Sequence, residues 1–113
     1  MDFEKLLVWK RSKNLAVEMY QAFAGCRDFG FKSQITRAAV SVPSNIAEGM
    51  ERSGSREKVW FLSVAKASCA ELRTQLIIAS EIGYLPSDLA NLWITETREL
   101  SRMLAGLINK ISN

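Results

Sequence analysis

Apolar residues recur along most of the chain at intervals of three and four, the spacing that lines one face of an α-helix. The cleanest run is Leu62, Ala65, Cys69, Leu72, Leu76 and Ala79, which alternates the two steps without a break, as a narrow bundle seam does. Ile35, Ala39, Val42 and Ile46 step by four, three and four in an earlier stretch. Leu89, Trp93, Leu100, Met103, Leu107 and Ile111 form the last line, with Glu96 as its polar interruption. At the start, Leu6, Trp9, Ala16, Tyr20 and Phe23 mark one line, and Val8, Leu15, Met19 and Ala22 widen it. The pattern predicts helices over residues 3–26, 34–54, 55–82 and from 87 or 88 to 111. Arg27, Asp28 and Gly30 mark the first turn. Gly54 marks a helix stop with Ser55 as the next N-cap, and Gly83 and Pro86 mark the last turn. Short turns between long helices force antiparallel neighbours, so the expected fold is all-α: an up-down-up-down four-helix bundle in one domain over residues 1–113.

The second stretch, QITRAAVSVPSNIAEGMERSG, carries more than an apolar stripe. Arg37, Ser41, Asn45, Glu48 and Arg52 run along another face, with Glu48 and Arg52 spaced for an intrahelical ion pair. Ser and Asn are mediocre helix formers, so their mid-helix placement points to an interface or ligand surface as against a merely solvated face. Pro43 removes a backbone donor, yet the stripe keeps its phase across it, which predicts one continuous helix kinked at Pro43. Gly49 allows another backbone to approach closely.

Together with LLVWKRSKNLAVEMY, FLSVAKASCAELRTQL and IGYL, this stretch resembles the four-helix-bundle family encoded by intervening sequences of bacterial 23S ribosomal RNA genes. The resemblance runs from about Phe3 to Leu85, and its most specific part is the order Arg37, Ala38, Ser41, Pro43, Ser44, Asn45, Ala47, Glu48. It implies an antiparallel bundle assembled into a ring, often a homopentamer. The family is related to the accessory variability proteins of diversity-generating retroelements, whose similar barrels bind nucleic acid. The chain departs from the family pattern in a short, proline-free connection, CRDFGFKSQ, and in Lys66 and Ala67 where a Gly-containing step is common.

Charge adds a direction to this picture. The net charge is +3, and the excess lies wholly in the first half of the chain. Lys10, Arg11 and Lys13 cluster near Trp9, and Arg52, Arg56 and Lys58 gather at the serine-containing turn between the second and third helices. Such cations beside a helix N-terminus suit phosphate, and a ring would repeat them once per subunit; an ordinary basic surface loop looks the same. Trp9 itself reads as a packing residue on its core line, or as a base-stacking one. Phe61, Val64 and Ile78 give the third helix a second apolar side, which predicts a homo-oligomer. Glu71 lies between the two sides, where a buried carboxylate would need a partner such as Arg37.

Several chemistries lack their parts. There is no histidine, and the two cysteines, Cys26 and Cys69, have no paired ligands near them, so they read as free thiols of a cytoplasmic protein with no metal site. No glycine-rich phosphate loop appears, and neither a signal segment nor a membrane-length apolar run of about 18 residues is present. The expectation is a protein without cofactor or catalytic residues. Two readings remain open: a nucleic-acid-binding ring (RNA or DNA) contacting phosphates through Lys10, Arg11, Lys13, Arg52, Arg56 and Lys58, or a structural adaptor oligomer whose partner is another protein.

Overall fold

The computed structural model describes residues 2–113. Asp2 accepts a hydrogen bond from the Glu4 amide and caps a short 3-10 turn, Phe3–Lys5. Leu6 is then extended (ψ 128°), and α1 begins only after it, as Leu7–Ala22. The first helix is therefore shorter at both ends than its apolar pattern suggests. Its buried line also differs: Val8, Leu15, Ala16, Met19 and Phe23 are buried, whereas Tyr20 is half exposed and Ala22 exposed. That line passes through Ser12, which is buried because its hydroxyl donates to the Trp9 carbonyl at 3.0 Å.

Helix α2, Phe29–Glu51, starts earlier than its stripe does. The Asp28 carboxylate accepts from the Phe31 amide at 3.1 Å and sets the start, which places Gly30 inside the helix and not in the turn. The helix runs continuously through the buried Pro43, and all four stripe residues, Ile35, Ala39, Val42 and Ile46, are buried. It stops at Glu51, with Arg52 extended. Gly54 serves as the N-cap residue of α3, Ser55–Glu81, in an ordinary extended conformation, and Ser55 is its first helical residue. The seam of α3 matches its sequence pattern fully: Leu62, Ala65, Cys69, Leu72, Leu76 and Ala79 are inaccessible to solvent.

Gly83 closes α3 with φ +82°, and the Tyr84 amide reaches back to the Ala79 carbonyl at 2.8 Å. Helix α4, Ser87–Ser112, follows with Pro86 at its N-cap position and no side-chain cap. Its most buried residues are Ala90, Trp93, Ile94, Thr97, Leu100 and Leu104, while Leu89, Met103, Leu107 and Ile111 sit at the margin of the core. The four helices form an antiparallel bundle 43 Å long and 20 Å in each cross dimension. Helix α3 packs extensively on both α2 and α4, α1 lies mainly on α2, and α1 meets α4 only sparsely. Among the described residues, no helix is long and apolar enough to cross a membrane.

Candidate functional site

Antiparallel order brings the start of α1, the end of α2, the start of α3 and the end of α4 to one end of the bundle. With each helix divided at its midpoint, this end holds residues 2–14, 41–67 and 100–113, which carry ten basic and five acidic side chains; the opposite end carries five and seven. All six cations singled out in the sequence lie at the basic end. Lys5, Lys66, Arg102 and Lys110 join them there, a grouping visible only once helix ends are counted together.

The six are not equivalent. Arg11 is turned into the α1–α4 seam, where its Nε donates to Glu96 at 2.9 Å and its Nη2 bridges Glu96 and Glu99. The Glu96 carboxylate, and after it Glu99, holds the guanidinium above its ordinary range despite the opposing effect of burial. Arg52 lies between Glu48 at 3.3 Å and Glu57 at 3.5 Å, with its guanidinium 4.8 Å from the centre of the Phe61 ring. The Glu48–Arg52 pair is the one its spacing predicts. Lys58 donates to the Met50 carbonyl at 3.0 Å, satisfying the C-terminal end of α2. Lys10, Lys13 and Arg56 remain: none takes part in an ion pair among the described residues, and Lys13 stays exposed with its ammonium 5.9 Å from the Trp9 ring. Trp9 is half-buried and packs edge-on to Phe3 at 5.3 Å, the packing role of its two readings.

The polar face of α2 is used within the subunit at its centre. The Ser41 and Ser68 hydroxyls meet at 2.9 Å, and the Asn45 amide donates to the Ser41 carbonyl at 2.8 Å and to its hydroxyl at 3.0 Å. The Ser41–Ser68 contact ties α2 to α3, and Asn45 braces Ser41 from within α2, which accounts for Ser and Asn in mid-helix. Gly49 completes the contact one turn later: a Cβ there would lie 2.9 Å from Phe61 Cβ and 3.3 Å from the Lys58 carbonyl oxygen. Farther along, Arg37 and Glu71 line one polar groove of about 470 Å³ with Ser33, Gln34 and Gln75. The buried Arg37–Glu71 pairing is not made: both side chains are exposed, and the ion pairs among the described residues do not include them. In the groove wall, the Gln75 amide oxygen is buried without a hydrogen-bond partner among the described residues.

Trp60 was not among the residues that stood out in the sequence, although it precedes Val64 by one turn on the second apolar side of α3. It is 61% exposed at the basic end, perpendicular to Phe61 with ring centres 4.9 Å apart. Both cysteines are free thiols; burial pushes that of Cys69 up to about 11, which leaves it protonated and unreactive at neutral pH. Among the described residues, no cluster of three His, Cys, Asp or Glu side chains is arranged to hold a metal.

The fold has a solved counterpart. A protein of unknown function from the S23 ribosomal protein family of Bacteroides thetaiotaomicron VPI-5482 superposes with a TM-score of 0.85 at 20% identity, covering 90% of this chain and 98% of that one. No curated protein matches the chain. The profile of the 23S rRNA-intervening sequence protein family matches residues 4–106, nearly the whole of the bundle, and the chain belongs to that family.

Proposed function

We propose that this chain is a non-enzymatic cytoplasmic protein that self-associates and binds nucleic acid, RNA or DNA, through the basic end of its bundle. The division of charge between the two ends carries this reading: ten basic and five acidic side chains at one end against five and seven at the other. Lys10, Lys13 and Arg56 are the cations there best placed to meet phosphates, and the exposed Lys110 of α4 lies at the same end. Arg52 and Lys58 act in support at the corner between α2 and α3, and Arg11 fastens α1 to the middle of α4. Attraction of this kind is weakly specific for sequence and falls steeply with salt.

Self-association is supported by apolar side chains that the bundle leaves outside. Ile77 and Ile78 on α3 and Ile82 at its C-cap are 40%, 44% and 52% exposed, outside the core seam of that helix. A ring, five-membered on the family resemblance, would gather one basic end per subunit and multiply a modest charge. Light scattering at micromolar concentration tests the assembly, and a monomeric mass contradicts it. Fluorescence anisotropy with labelled RNA and duplex DNA, at low and moderate salt, tests the ligand. Binding that weakens as salt rises is expected. Absence of binding at low salt favours the adaptor reading and a protein partner.

A further inference from the structure

We infer that Trp60 is a base-stacking platform, so that the nucleic acid this end takes is single-stranded. This rests on the proposed nucleic-acid reading and names the form of the ligand. Of the three tryptophans, two are occupied: Trp93 is 6% exposed with its indole N–H donating to Glu18 at 3.2 Å, and Trp9 is packed against Phe3. Trp60 alone presents most of its ring to solvent. Its orientation is braced, since it meets Phe61 edge-on and Phe61 is itself covered by the Arg52 guanidinium, which two carboxylates hold. A braced aromatic ring loses little freedom when a base stacks on it.

The surroundings select the occupant. Arg56 precedes Trp60 by one helical turn on the same face, exposed and outside any ion pair among the described residues. Val64 stands one turn on with Ser63 and Ala67 beside it, and the exposed Ile78 and Ile82 lie at the far end of the same side, so the indole ends that apolar side next to Arg56. An aromatic face next to an unengaged guanidinium matches the alternation of base and phosphate along a single strand. A duplex keeps its base faces stacked inside and offers the indole nothing.

The test compares wild type, W60A and W60F against a labelled oligouridine of about 20 nucleotides and a duplex of equal length, with helicity and mass checked for each. The expected result is a loss of about tenfold in single-strand affinity for W60A, substantial rescue by W60F, and unchanged duplex binding. Quenching of tryptophan emission by the oligonucleotide should disappear in W60F. If wild type binds neither probe, the underlying reading fails and takes this inference with it. If W60A retains full single-strand affinity, the stacking role alone is overturned. A W60A protein that loses its oligomeric mass, or loses both probes equally, assigns Trp60 to a subunit contact and also overturns the inference.

Discussion

Asp28 joins two turns through one carboxylate. One oxygen accepts from the Phe31 amide at the start of α2, and the other accepts from the Tyr84 hydroxyl at 2.7 Å, across the bundle end. The Tyr84 bond, and after it the Phe31 amide, holds Asp28 below its ordinary 3.8; the same bond holds the Tyr84 phenol above its ordinary 10.0. A depressed carboxylate stabilises the fold above its unfolded value and loses that contribution as pH falls through the folded one. A raised phenol contributes below its unfolded value and loses it as pH rises through the folded one. The melting temperature of wild type should thus exceed that of Y84F by a constant margin near neutrality, and the margin should shrink below 3.8 and above 10.0. A margin independent of pH would show that the bond does not link the two groups. In the sequence Asp28 is legible as a turn residue. Its partner lies 56 residues away on another turn, where no periodic pattern connects the two.

Between elements, the contacts differ in kind. Helices α2 and α3 approach closely at Gly49, and a methyl group there meets atoms fixed to the α3 backbone. Gly→Ala inside a helix is ordinarily favourable by about 1 kcal/mol, but overpacking costs about 1–3 kcal/mol, and here neither Phe61 Cβ nor the Lys58 carbonyl can swing away. G49A should lower the urea midpoint, with net destabilisation of about 1 kcal/mol and an unchanged slope; a rise in the midpoint would mean that the helices separate freely. Helices α1 and α4 are held instead by polar contacts, Arg11 with Glu96 and Glu99, and Trp93 with Glu18. E96Q should cost about 1 kcal/mol, discounted for partial exposure, and speed amide exchange in α1 while leaving α3 protected. Uniform exchange changes would contradict this weak seam. The same contrast explains what the sequence reveals of each helix. The α3 seam is entirely apolar and reads directly. The buried lines of α1 and α4 pass through Ser12 and Thr97, whose hydroxyls are satisfied by the Trp9 and Ile94 carbonyls, so an apolar-only reading drifts to one side.

For the whole molecule, charge becomes informative only after folding. Along the sequence the excess lies in the first half, but in space it lies at one end, because the bundle adds Arg102 and Lys110 from α4 and removes Arg27, Lys32 and Arg37 to the other end. Spacing alone also left the six candidate cations alike, whereas the structure divides them into Lys10, Lys13 and Arg56, outside any ion pair among the described residues, and Arg11, Arg52 and Lys58, which fasten helices. The direct test is the salt dependence of RNA affinity for wild type, for K10Q/K13Q/R56Q at the basic end, and for R27Q/R37Q/R98Q at the opposite end. Wild type and the opposite-end variant should share one steep slope of log K against log salt, while the basic-end variant binds more weakly with a slope shallower by about 0.7 per lost phosphate contact. Equal slopes and affinities for all three folded proteins would contradict nucleic-acid binding through this end.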